Sequence, residues 1–173
     1  VINEVTHQLT AQQERFFSDH LPHRVNLLIA FRQRYSCRFP ERTLEPEQFR
    51  DLYRCAMDIS MLMARFFCWE IGLNVPKGGY HIVSCTPRGQ SYGAAHADLS
   101  IVRQDSRFDQ LQKVLIAANR AVAHINPTDV DHSVDADVLI SAIDLVESLI
   151  QTHIYAANGL KLVDAMDRPN NRM

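Results

Sequence analysis

Residues 135–159 read DADVLISAIDLVESLIQTHIYAANG. Leu139, Ala142, Ile143, Val146, Leu149, Ile150, Ile154 and Ala157 recur at intervals of three and four, the spacing that gathers side chains on one face of a helix. Asp135 stands where an N-cap belongs, and Asn158-Gly159 stands where a helix ends. The stretch predicts a long amphipathic helix, and its apolar stripe has to be buried against other helices.

Working back from it, residues 108–125 (FDQLQKVLIAANRAVAHI) carry Phe108, Leu111, Leu115, Ala118 and Val122 on one face. Ser106 is the expected cap, Asp109 suits the first turn, and Asn126-Pro127 closes the helix. Residues 47–73 predict the longest helix, with Phe49, Leu52, Ala56, Ile59, Met63, Phe66 and Phe67 on its apolar face. Cys55, Leu62 and Trp69 widen that face to more than half the circumference, as in the central member of a bundle. Glu70 projects onto the same face. A further helix beginning near Pro22 carries Val25, Leu28, Ile29, Arg32 and Tyr35, and Leu21-Pro22 separates it from a short leading helix. Thr10 caps the leading helix, with Gln13 completing the capping pattern. The expected fold is all-α: an up-and-down four-helix bundle with a short leading helix.

One region breaks the pattern. Residues 74–106 hold most of the chain's glycines, two prolines and a short alternating stretch at 80–85. A hairpin around Thr86-Pro87-Arg88-Gly89, or an irregular excursion with a helical piece near 94–99, would account for it. A connection this long inside a compact domain points to function or mobility. A single domain over 1–173 is expected, with its core in about 21–159, the irregular insertion at 74–106 and a polar, fraying tail at 164–173.

Composition narrows the function. With 46% hydrophobic and 22% charged residues and a net charge of −2, the chain is an ordinary globular one without a global basic field. Arg24, Arg32, Arg34, Arg38 and Arg42 crowd one segment, which reads as a solvated face or as a phosphate-contacting strip. No unbroken apolar run long enough to cross a membrane occurs, so no membrane association is expected. Cys37, Cys55, Cys68 and Cys85 lack C-x-x-C spacing; three of them lie in helical stretches, where they read as small buried hydrophobes, and a reducing, cytoplasmic setting is expected.

The candidate chemistry is at the end of the 108–125 helix. Arg120 and His124 are one turn apart and, projected around the helix, lie opposite Leu111, Leu115 and Val122, with Asn119 beside them. Imidazole exchanges protons near neutral pH, and guanidinium grips a phosphate through paired hydrogen bonds. The structural alternative is an exposed cationic pair that favours a helix C-terminus. No metal or cofactor is implied. Glu4 and His7 make a single Glu-x-x-His, where a di-iron bundle needs two. Asp129 and Asp131 lack the Gly and Glu of a calcium loop. His153 falls on the core stripe, and nothing fixes where His81 and His96 point.

The phrase ANRAVAHINP at 118–127, followed by a long amphipathic helix, resembles the abortive-infection-type branches of the HEPN superfamily (higher eukaryotes and prokaryotes nucleotide-binding). The resemblance covers about 21–159. It implies a metal-independent endoribonuclease, or an RNA- or nucleotide-binding protein, of a defence or toxin–antitoxin type. His124 would then be the acid/base, Arg120 the phosphate-binding group and Asn119 polar support. The family spaces its Arg and His more widely, whereas only Ala121, Val122 and Ala123 intervene here. Such sites often form across a homodimer, so a second copy is the expected partner. The alternative is a non-catalytic homodimeric interaction or regulatory bundle, with Val138, Leu145, Met57 and Met61 available to a protein partner. A third reading is a small-molecule pocket closed by the 74–106 excursion.

Overall fold

The computed structural model describes residues 9–36, 45–122 and 134–162, and 72% of it is helical. Helix α1 (Ala11–Arg15) begins with the expected capping box, Thr10 N donating to Gln13 Oε1 at 3.0 Å. No break follows at Leu21-Pro22. A π-helical turn, Phe16–His20, joins α1 to α2 (Leu21–Ser36), and Leu21 stays in right-handed helical geometry. The wider turn is the physical reason: a proline ring collides with the carbonyl four residues back, and adding a residue to the preceding turn relieves that collision.

Helix α3 (Pro46–Glu70) takes its proline at the first helical position, where a missing N–H costs nothing. Helix α5 (Phe108–Ala117) continues as a π-helical turn, Ala118–Val122. Helix α6 (Ala136–Ile150) continues through another, Gln151–Tyr155, to a short 3-10 turn ending at Gly159. Between α3 and α5 lie two antiparallel strands, β1 (Leu73–Asn74) and β2 (Val83–Ser84), then a 3-10 turn at Arg88–Tyr92 and the short α4 (Leu99–Val102). The excursion is thus a hairpin, but its turn precedes the alternating stretch at 80–85 instead of following it at 86–89, and its helical piece, α4, begins only at Leu99.

The core joins all four long helices. Leu21, Val25, Leu28, Ile29 and Phe31 meet Ala64, Phe67 and Cys68, with Leu111, Val114 and Leu115 and the α6 stripe from Leu139 to Ile154. By length and composition alone the segment Ala136–Asn158 equals a membrane span, but half of its most apolar window is buried inside the protein. Arg32 leaves the stripe of α2 to bind α6: it pairs with Asp144, and with Glu147 at 2.7 Å. Leu145 and Met61 are buried, so they pack the interior and offer no partner surface. The departure on α3 is larger. Phe49, Leu52 and Ile59, expected in the core, are 46%, 48% and 37% exposed. Ala56, Ser60, Ala64 and Phe67 are buried instead, so the wide apolar face of α3 is covered on one flank only.

Candidate nucleic-acid interface

The π-helical turn at the end of α5 carries two of the three expected site residues, Asn119 and Arg120. Single π turns inside α-helices recur at functional sites because the extra residue re-aims the side chains that follow. Here it separates the fates of two neighbours. Asn119 is buried, and its amide donates to the carbonyl of Pro76 at 3.2 Å and of Val75 at 3.5 Å. Arg120 is half-buried and stacks its guanidinium 4.0 Å over the ring of Tyr80. The third residue, His124, lies outside the described residues, as do Asp129, Asp131, Glu4 and His7.

The excursion is positioned by α5 itself. Besides the Asn119 contacts, Ile82 N donates to Gln112 Oε1 at 3.2 Å. The loop between β1 and β2 is therefore strapped along the helix at both ends, and Tyr80 is held between the straps, 62% exposed. A cation lying on a solvent-facing ring offers both a phosphate-binding charge and an aromatic face for a base. Sequence reasoning missed Tyr80. The available signal was an aromatic flanked by Gly79 and His81 at the head of the alternating stretch 80–85.

A second cation–aromatic stack lies at the end of α3. Arg88 is 3.5 Å from the centre of the Trp69 ring and Arg65 is 5.5 Å from it. Beyond it, His96 packs against Gly72 and its Nε2 is 3.1 Å from Ser84 Oγ. Such a pair can pass a proton between hydroxyl and imidazole. Both residues are exposed. His153 is half-buried, not a core histidine; burial, then the nearby His96, lowers its pKa below the ordinary histidine value. Its carbonyl accepts from Ala95 N at 2.7 Å, docking the excursion onto α6. His81 is exposed and belongs to neither group.

Glu70 is buried, as its projection indicated, and is partnered: Tyr92 Oη donates to its carboxylate at 2.6 Å. Tyr92 also lines an open depression of about 540 Å³ with Thr10, Gln12, Gln13, Phe16 and Ser91. Its walls hold no acid/base group apart from the Tyr92 phenol, which burial and the bond to Glu70 push well above the ordinary tyrosine range. Among the described residues no three His, Cys, Asp or Glu side chains are grouped to hold a metal ion. No protein-family model, curated protein or solved structure matches this chain.

Proposed function

We propose that the chain is an HEPN-like up-and-down four-helix bundle that binds RNA at the Arg120–Tyr80 face and cleaves it without a metal. The observation that carries this reading is the guanidinium of Arg120 stacked at 4.0 Å on the exposed ring of Tyr80. The pair presents charge and an aromatic plane at one point of the surface, which is what a flexible single strand needs from a protein. In this reading Arg120 holds the scissile phosphate and steadies its charge. His124 exchanges the proton between the attacking 2′-hydroxyl and the leaving oxygen. Asn119 does not touch the substrate; it holds the loop that bears Tyr80. The setting is cytoplasmic, where Cys55 and the half-buried Cys85 stay reduced.

The test is cleavage of single-stranded RNA without added metal, alongside binding measured at fixed salt. Arg120→Ala and Tyr80→Ala are each expected to weaken binding by about five- to thirtyfold. His124→Ala is expected to abolish cleavage while leaving binding in place. An inert protein that binds no RNA would remove this reading. It would leave the second one, a non-catalytic homodimeric interaction bundle, which the exposed Phe49, Leu52 and Ile59 of α3 favour.

A further inference from the structure

The uncovered flank of α3 has a period. Gln48, Leu52, Cys55, Ile59, Leu62 and Phe66 succeed one another at steps of four, three, four, three and four. That is the alternation of a coiled-coil seam, kept over a helix length of about 27 Å. Gln48, Leu52, Cys55 and Ile59 are exposed, and Leu62 and Phe66 are half-buried. None of the seam residues is among the buried residues of α3 (Ala56, Ser60, Met61, Ala64, Phe67, Cys68 and Glu70), and only Phe66, at the end of the seam, packs against the core. A straight seam of this spacing is complementary to another helix.

We infer that this seam pairs with the same helix of a second copy, running antiparallel. In antiparallel packing each residue of one seam class faces one of the other class. A single register places Leu52 against the second copy's Leu62, Cys55 against its Ile59, and Gln48 against its Phe66. Phe49 then meets Met63 of the second copy along the side nearer the core. The same register sets Asp51 opposite the second copy's Arg65, twice by symmetry. Arg65 fits that role: it rests on Trp69 and has no acidic partner among the described residues. Apolar layers and charges thus select one register independently, which an unrelated helix would match only by coincidence. The register also brings the two Asp58 carboxylates together at the two-fold axis, a repulsion that each Arg54 one turn away tempers. This inference specifies the dimeric reading above and is independent of any action on RNA.

The experiment is sedimentation equilibrium of the full chain over a concentration series, with circular dichroism on every variant to check folding. The wild type is expected to dimerise, and Leu52→Arg and Ile59→Arg to be folded monomers. Asp51→Arg alone is expected to weaken the dimer by about tenfold, and Asp51→Arg with Arg65→Asp to recover most of that loss. Asp58→Asn is expected to strengthen it. A wild type that stays monomeric at about 100 μM, well above the Kd of an ordinary specific dimer, overturns both the dimeric reading and this interface. A dimer untouched by Leu52→Arg and Ile59→Arg leaves the dimeric reading standing and overturns the interface. A dimer that those two disrupt, but that the double charge exchange fails to rescue, overturns the antiparallel register.

Discussion

The side-chain amide of Asn119 donates to the backbone carbonyl of Pro76 at 3.2 Å, joining positions 43 residues apart. The bond is made from a buried side chain, so its loss leaves polar groups unsatisfied as well as a strap undone. Asn119→Ala is expected to cost about 1–2 kcal/mol. Asn119→Asp is expected to cost more, because it sets carboxylate oxygens against carbonyl oxygens with no donor between them. Urea unfolding measures both. Amide exchange at Ile82, the other strap, should quicken in each variant if the loop is held as a unit. Unchanged protection at Ile82 would mean that the two straps act separately.

Tyr92 and Glu70 form a pair of another kind, a half-buried phenol serving a buried carboxylate. Tyr92→Phe keeps the ring 4.6 Å from Phe16 but removes the donor. The expected cost is about 1–3 kcal/mol, from the unserved carboxylate more than from the lost bond. The pH dependence has a definite sign. Burial and the bond to Glu70 raise the pKa of Tyr92 in the folded protein. The unfolded chain releases that proton near pH 10. Stability from this group is therefore complete below about pH 10 and declines as pH rises beyond it. Urea midpoints at pH 9 and 11 should differ more in the wild type than in Tyr92→Phe.

Cys68 repeats that logic at lower pH. Complete burial pushes its thiol up to about 12. An unfolded cysteine ionises at about 8.5 to 9, so the contribution is whole below that range and is lost as pH climbs towards 12. Between pH 8.5 and 10.5 the wild type should lose about 2 kcal/mol that Cys68→Ala does not lose. Iodoacetamide under native conditions, at a protein concentration low enough to keep the chain monomeric, should label the exposed Cys55 and spare Cys68. Rapid native alkylation of Cys68 would contradict its burial.

The helices were legible because their evidence is local and periodic. Every apolar stripe residue of α6 from Leu139 to Ile154 is buried. The stripe of α3 misled because periodicity measures how much of a helix is apolar and not how much of it the chain covers. The exposure of Phe49, Leu52 and Ile59 is a property of what packs beside them. Pro22 misled for the opposite reason: a π turn upstream absorbs a residue that usually ends a helix. At the candidate site Arg120 was readable from its own helix, but its partner Tyr80 comes from a loop 40 residues earlier, as do the carbonyls that hold Asn119. The Ser84–His96 contact crosses the Arg88–Tyr92 turn in the same way. Proximity made by an irregular excursion leaves no period to read.

Gly72 and Gly78 provide a paired test of that excursion. Both have left-handed backbones, with φ of +88° and +73°. Around Gly78 a Cβ would meet nothing within 4 Å, so Gly78→Ala should carry only the conformational penalty, about 1 kcal/mol. At Gly72 a Cβ would stand 2.7 Å from the carbonyl oxygen of Cys85 and 2.7 Å from the His96 ring. The ring can rotate away, but the carbonyl belongs to the backbone of Cys85, whose N–H donates to the Gly72 carbonyl at 2.8 Å and holds it against the glycine. Gly72→Ala should therefore cost about 2–4 kcal/mol, well beyond Gly78→Ala. It should also separate Ser84 from His96, visible as changed chemical shifts of the His96 ring by NMR. Equal costs at the two glycines would mean that the excursion yields at Gly72, and the close approach of α3, β2 and His96 would then contribute little to holding it in place.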